Sequence, residues 1–168
     1  MTSRMASHFN DAIDTFKASS RELAAPLSQA VDLLFNTLIN NGRILACGNG
    51  GSAADAQHFI AELVGRFERD RLPLAGIALN TDTSILTAVG NDYGFDTVFK
   101  RQVEALGQPG DVLVAISTSG NSHNVVHAIE AAHDREMSIV ALTGKGGGLI
   151  TDLLLDTDVH LCVPHDRT

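Results

Sequence analysis

Five short apolar runs recur along the chain, and they constrain its fold more than any other feature. Each run is five or six residues long and mostly unbroken, whereas a strand with one solvent-facing side would alternate apolar and polar residues. Stretches with helical periodicity lie between the runs. This order predicts a doubly wound α/β domain, in which helices cover both faces of a five-stranded parallel sheet. The runs are residues 43–47, 74–79, 112–116, 138–142 and 159–163.

The segment before the first run is predicted to form a helical hairpin. Phe9, Ile13 and Phe16 share one face of a helix over about 7–23, and a wider apolar stripe predicts a second helix over about 25–40.

Gly42 follows as the predicted left-handed cap of the second helix. We interpret the chain as a single domain, with the hairpin at 1–41 and the α/β core at 42–168. Further helices are expected at about 52–68, 84–90, 95–105, 122–135 and 148–154.

Composition narrows the class of partner. Aromatic residues make up only 5% of the chain and Trp is absent, so the core must be aliphatic, as parallel sheets require. The net charge of −8 argues against nucleic acid and against an anionic membrane surface as partners. Cys47 and Cys162 each lie inside an apolar run, which is typical of reduced core thiols. With no apolar run as long as a membrane span, we expect a cytoplasmic protein that does not enter the membrane.

Ligands of such sheets bind beyond the carboxyl ends of the strands, so the loops there are the places to look for function. The first loop is Gly48-Asn49-Gly50-Gly51-Ser52, which opens a helix. Its glycines would let an anion approach the backbone amides at the helix N-terminus. The alternative is a plain glycine turn in which Ser52 caps the helix. The loop lacks the Gly-Lys-Ser/Thr ending of a Walker A motif, and Ala53 stands where a dinucleotide fingerprint needs glycine.

The second loop is Ser117-Thr118-Ser119-Gly120-Asn121-Ser122, again between a strand and a helix. Four hydroxyls in six residues exceed what capping needs, and hydroxyl and backbone donors together suit a phosphate dianion. A polar turn with redundant caps is the alternative. Two such loops at strand ends of one sheet predict a phosphate site more specifically than either loop does alone.

Three further features are candidates for chemistry. His58 and Glu62 lie four residues apart, on one face of the helix after the first loop, where they could bind a divalent ion such as zinc or act as a base and its orienting partner. A solvated surface pair is the alternative. Asn91 and Asp92 could bind sugar hydroxyls or simply form a turn. His160, within the fifth run, is interpreted as a structural residue.

Four segments together resemble the sugar isomerase (SIS) domain family, and within it the sedoheptulose 7-phosphate isomerases, also called phosphoheptose isomerases. The resemblance runs from the N-terminal helices to Thr168. The segments are CGNGGSAADAQHF at 47–59, AVGNDYGF at 88–95, GDVL at 110–113 and ISTSGNS at 116–122.

The resemblance implies a flavodoxin-like doubly wound sheet, a homotetramer with active sites between subunits, and conversion of sedoheptulose 7-phosphate to D-glycero-D-manno-heptose 7-phosphate for the lipopolysaccharide core. It implies zinc as cofactor, with His58 and Glu62 as two of its ligands and Glu62 also as the acid/base residue. Asn91 and Asp92 would contact the hydroxyls of the substrate. The residues that would hold the rest of the substrate are Asn49, Gly50, Gly51, Ser52, Ser117, Thr118, Ser119 and Ser122.

In the family a C-terminal helix with an Arg-Ile-Gln-Glu…His pattern follows the point where this sequence stops. That helix supplies a Gln and a His to the metal. Either the sequence is a truncated or partly ordered version of a longer chain, and truncation is what we expect, or the metal site cannot be completed from these residues. The alternative function is a non-catalytic SIS module, either a sugar-phosphate sensor or a protein that associates with the bacterial replication initiator. Glu62 and the unbroken loop at 117–122 favour the enzyme.

Overall fold

The computed structural model describes residues 2–167 and contains one five-stranded sheet. The strands are all parallel and lie in the order β2-β1-β3-β4-β5, which confirms the predicted doubly wound α/β fold. Strand β2 is added on one side of β1, whereas β3, β4 and β5 are added on the other side, so the strand order reverses between β1 and β3. Parallel sheets of this kind bind ligands at that reversal point. The strands are β1 (Ile44–Gly48), β2 (Gly76–Ala78), β3 (Val112–Ser117), β4 (Ser138–Thr143) and β5 (Val159–Cys162).

Seven α-helices and two short 3-10 helices surround the sheet among the described residues. None of these helices is both long enough and apolar enough to cross a lipid bilayer. The helices are α1 (Thr2–Glu22), α2 (Ala24–Ile39), α3 (Gly51–Val64), α4 (Thr83–Tyr93), α5 (Lys100–Leu106), α6 (His123–Asp134) and α7 (Gly148–Leu153), with 3-10 turns at Phe95–Thr97 and Lys145–Gly147.

A core lies on each face of the sheet, as the unbroken apolar runs predicted, and it is aliphatic apart from Phe99 and the sulfur-containing Cys47 and Met137 among the buried residues described. Alternate residues of one strand enter opposite cores: Leu45 packs with Phe99 and Ile129 on one face, and Ile44 packs with Ile60 on the other. Every residue of β1 and β3 is buried. These two central strands therefore hold the ends from which the candidate loops emerge.

Several predicted boundaries are wrong for local reasons. The helix expected over 52–68 ends at Val64, because Gly65 follows as its cap. The helix expected over 95–105 is a 3-10 turn followed by α5. The left-handed residue after α2 is Asn41, at φ 62°, rather than Gly42, since asparagine also tolerates this region.

Candidate active site

The first loop leaves β1 and enters α3 without a side-chain cap. Gly50 is the N-cap residue, with φ 57° and ψ −119°, and no side chain accepts a hydrogen bond from the first turn. The prediction that Ser52 caps this helix is wrong: Ser52 lies inside the first turn, and its backbone N–H donates to Asn49 O at 3.0 Å. The uncapped N-terminus of α3 therefore remains available to an anion.

The second loop leaves β3 and enters α6, again without a side-chain cap. Ser122 is the N-cap residue, but its Oγ accepts a hydrogen bond from Ser117 Oγ at 3.0 Å and bonds no backbone N–H of the helix. The alternative of redundant caps is thus wrong. These hydroxyls form a cluster at the helix N-terminus, as a phosphate site needs.

The second loop is hydrogen-bonded to the glycine-rich segment 144–150. Thr118 O accepts from Gly144 N at 3.0 Å, and Gly120 O accepts from Ile150 N at 3.1 Å. Gly120, at φ 66°, lies so close to Gly147 that a Cβ there would stand 1.7 Å from Gly147 O. Only glycine fits this contact, which fixes the position of the loop.

The two loops enclose one cavity of about 210 Å³ at the reversal point of the sheet. A second cavity of about 210 Å³ adjoins it and shares Ser52, Ile116 and Thr118. His165 and Arg167 also line this second cavity. Most of the predicted phosphate-binding residues thus come together, although Gly50 and Gly51 do not line the cavity. The lining residues of the first cavity are Asn49, Ser52, Ile116, Ser117, Thr118, Ser119 and Ser122.

His58 and Glu62 share a face of α3, as their spacing predicted, with His58 Nε2 3.0 Å from Glu62 Oε1. Both are outside the phosphate cavity, and the His58 side chain is 76% exposed. Within residues 2–167 no group of three or more His, Cys, Asp or Glu side chains could hold a metal ion. The pair therefore offers two of the four donors that zinc usually takes.

Asn91 and Asp92 are exposed at the end of α4, where Asn91 Nδ2 donates to Asp92 Oδ1 at 2.7 Å. They do not line the phosphate cavity either. The structure thus separates the predicted residues into a phosphate cavity and two pairs that lie outside it, of which only Glu62 is half-buried and the other three residues are exposed.

Two asparagines that the sequence reasoning missed hold the first loop. Asn124, on α6, exchanges two hydrogen bonds with Asn49, with N···O distances of 2.8 and 2.9 Å. Asn80 Nδ2 donates to Gly48 O at 2.7 Å, while Asn80 Oδ1 is buried without a partner among the described atoms. Asn80 directly follows the apolar run 74–79, and this position at a strand end could have indicated a role near the site. The sequence around Asn124 contains no comparable signal.

Three shifted pKa values follow from the surroundings. Burial raises the pKa of Cys47 to about 12, so this thiol beside the first loop stays protonated and is no nucleophile. Burial lowers the pKa of His160, whose Nε2 lies 2.8 Å from Thr143 Oγ1, in agreement with a structural role. A hydrogen bond from His165 lowers the pKa of Asp11, which also pairs with Arg167 at 2.8 Å.

Several known proteins are similar to this chain in sequence and structure. The model of the SIS domain matches residues 7–144. A phosphoheptose isomerase of Bordetella avium is 76% identical over 168 residues, which is all of this chain and 85% of that protein. The solved phosphoheptose isomerase of Neisseria gonorrhoeae is 57% identical with a TM-score of 0.95, covering 99% of this chain and 88% of that one. The enzyme from Francisella tularensis is 42% identical with a TM-score of 0.96, covering 99% and 87%.

Proposed function

The chain belongs to the SIS domain family and within it to the phosphoheptose isomerases, and from this we infer that it converts sedoheptulose 7-phosphate to D-glycero-D-manno-heptose 7-phosphate. This reaction supplies the heptose of ADP-heptose and of the lipopolysaccharide core. The named relatives favour the enzyme over a non-catalytic SIS sensor or an initiator-associating protein. We place the reaction in the cytoplasm, because the phosphate charge keeps sugar phosphates from crossing membranes.

The cavity between the two loops is the observation that carries the proposal. Two uncapped helix N-termini, of α3 and α6, meet at this cavity, and serine and threonine hydroxyls line it. Helix N-termini and hydroxyl donors suit a phosphate dianion. The phosphate of the substrate binds here, which anchors the sugar while its other end reacts.

The reaction moves a proton between C1 and C2 through an enediol. It needs a base at carbon and hydrogen-bonding groups at the oxygens. Glu62 is the base in our proposal, and the adjacent His58 orients it across the 3.0 Å contact. Asn91 and Asp92 contact the sugar hydroxyls.

Substitution of Glu62 tests this assignment. Glu62→Gln keeps the shape of the side chain but removes the base, so we expect at least about a hundredfold loss of kcat, as is typical for a general base. Conversion of sedoheptulose 7-phosphate to the aldose is measured by chromatography. Glu130→Gln, at an exposed position on α6, is the matched control and keeps the wild-type rate. Wild-type turnover by Glu62→Gln would rule out its role as base, and a wild-type protein without turnover would rule out the isomerase.

Zinc is our proposed cofactor, with His58 and Glu62 as two of its ligands. A carboxylate bound to zinc is a weaker base, so the zinc-bound state of Glu62 and the state in which it pairs with His58 and acts as base are two different states of the site. The types of the two side chains and their i, i+4 spacing support this proposal. Because residues 2–167 contain no group of three or more His, Cys, Asp or Glu that could hold a metal ion, the remaining zinc ligands would have to come from elsewhere. When bound, zinc would polarise the oxygens of the reacting carbons. Elemental analysis of purified wild-type protein and of His58→Ala tests the site, since the variant should lose zinc. Equal metal content in the two proteins contradicts it.

We propose a homotetramer whose active sites form between subunits. Two exposed apolar stripes on the hairpin support it: Phe9 and Phe16 on α1 are 71% and 77% exposed, and Val31 and Phe35 on α2 are 63% and 60% exposed. His58, Asn91 and Asp92 are exposed and Glu62 is half-buried, all outside the phosphate cavity, which also fits sites that a neighbouring subunit completes.

Light scattering after gel filtration measures the assembly. The wild-type protein should have four times the mass of one chain. Phe16→Glu should dissociate the tetramer, because the subunit contact at α1 would otherwise have to bury an unpaired carboxylate. A wild-type monomer at micromolar concentration contradicts the proposal.

A further inference from the structure

The two loops of the phosphate cavity leave neighbouring strands and then diverge. The last paired residues of β1 and β3 are Gly48 and Ile116, so the sheet stops fixing the loops at that point. Each loop is then bonded to a different neighbour: Asn80 holds Gly48 O, whereas the segment 144–150 holds the second loop. The separation of the loops must therefore be set by another contact.

The amide pair of Asn49 and Asn124 is that contact. Asn49 Nδ2 donates to Asn124 Oδ1 at 2.8 Å, and Asn124 Nδ2 donates to Asn49 Oδ1 at 2.9 Å. Apart from the backbone hydrogen bonds between strands β1 and β3, these are the two hydrogen bonds that join residues 48–53 to residues 117–124 within the described chain. Asn124 is only 3% exposed and does not line the cavity, so it meets Asn49 and not the ligand.

We propose that Asn124 is a positioning residue for phosphate binding, because its side-chain amide pairs with that of Asn49 and sets the distance between the two loops. The proposal rests on the proposed function for its enzymatic readout, but binding of inorganic phosphate tests it independently. Asn49 acts in the same pair, which gives its side chain a role that the sequence prediction of direct substrate contact did not contain.

The pair has two bonds in opposite directions, and this makes the proposal testable by pH. In Asn124→Asp, an ionised carboxylate accepts from Asn49 Nδ2 but opposes Asn49 Oδ1, so one bond becomes a repulsion. A protonated Asp at 124 donates from its O–H to Asn49 Oδ1 and accepts from Nδ2, which restores both bonds. Low pH should thus repair this variant while leaving truncations to alanine unrepaired.

The first experiment is a double-mutant cycle of Asn49→Ala, Asn124→Ala and the double variant. The Kd for inorganic phosphate is measured by calorimetry, and KM and kcat are measured with sedoheptulose 7-phosphate. We expect each single variant to raise Kd and KM about tenfold with little change in kcat, and the double variant to do no worse than either single. An unchanged Kd for Asn124→Ala, or additive effects, would overturn the proposal.

The second experiment follows Asn124→Asp from pH 8 to pH 5.5, with each Kd divided by the wild-type Kd at the same pH. The ratio should fall from about ten toward one on acidification. Asn41→Asp is the matched control: it introduces the same change at an exposed position near the other end of β1, and its ratio should stay near one. A ratio for Asn124→Asp that does not change with pH would overturn the proposal.

Thermal denaturation of every variant separates positioning from folding. If Asn124→Asp fails to fold, the Kd of Asn124→Ala, which removes the pair without placing a charge near the cavity, decides the proposal by itself. A wild-type protein that binds phosphate without isomerising the sugar contradicts the proposed function alone. Variants that lose stability but keep the wild-type Kd contradict the positioning role alone.

Discussion

Replacement of Gly120 by alanine should damage the second loop more than its small size suggests. Gly120 has φ 66°, and a Cβ added there would lie 1.7 Å from Gly147 O and 2.2 Å from Gly147 C. Both atoms belong to backbone, so no flexible side chain can move aside. Either the loop or the glycine-rich segment hydrogen-bonded to it must shift.

The expected cost has two parts. A left-handed conformation costs an alanine about 1–2 kcal/mol, and overpacking adds about 1–3 kcal/mol, for a total of roughly 3 kcal/mol. For a chain of this length that free energy lowers Tm by about 6–12 °C. The shift also separates the hydroxyls of the loop from the first loop, so phosphate should bind more weakly.

Gly146→Ala is the matched control. Gly146 also has a positive φ, 74°, but nothing lies within 4 Å of the position of its Cβ. Its replacement should therefore carry only the conformational cost of about 1–2 kcal/mol and lower Tm by about 2–8 °C. Differential scanning calorimetry measures both variants, and phosphate titration measures the cavity. If the two variants melt within about 2 °C of each other, the contact with Gly147 is not as tight as the geometry requires.

Three further substitutions have expected outcomes that denaturation in urea can check. Burial lowers the pKa of His160 below its ordinary value of 6.5, so on acidification the unfolded chain takes up a proton at this residue before the folded chain does. The free energy of unfolding should therefore fall from pH 6.5 downward by at most about 1.4 kcal/mol per pH unit, and His160→Gln should flatten this slope. Asp111 accepts hydrogen bonds from Arg43 N and Nη2 and its side chain is 3% exposed, so Asp111→Ala should cost about 3 kcal/mol or more, and a loss below 1 kcal/mol would contradict the reasoning. Asp82 Oδ1 caps α4 by accepting from Ile85 N at 2.9 Å, so Asp82→Ala should cost about 1 kcal/mol, while an unchanged midpoint would mean that the cap is dispensable.

The sheet could be predicted from sequence because its signal is local and repeated. Each buried strand must be apolar on both faces, so the five runs stand out without any knowledge of their order. The phosphate loops could be predicted for a similar reason, since glycines and hydroxyls cluster within a few residues at strand ends. Both predictions depend on composition within a short window.

The contacts that position the site could not be predicted in this way. Asn49 and Asn124 are separated by 75 residues, and nothing near either one indicates its partner. The spacing of His58 and Glu62 predicted a shared helix face, which is confirmed, but spacing does not tell what that face meets. The prediction that Ser52 caps α3 was wrong because Gly50, with φ 57°, occupies the N-cap position. The helix therefore begins at Gly51, one residue before Ser52.

The phosphate cavity has one consequence for how the ligand arrives and stays. Among residues 2–167 its own lining contains no lysine or arginine, and Arg167 of the adjoining cavity is paired with Asp11 at 2.8 Å, so neutral dipoles hold the anion inside a protein whose net charge is −8. Dipoles act over a few ångströms, whereas the net charge repels an approaching anion over a Debye length of about 8–10 Å at ordinary ionic strength. Added salt screens the repulsion more than the attraction. Salt should therefore speed the capture of the substrate while hardly changing how long it remains bound, which is the reverse of the behaviour of sites built from cationic side chains.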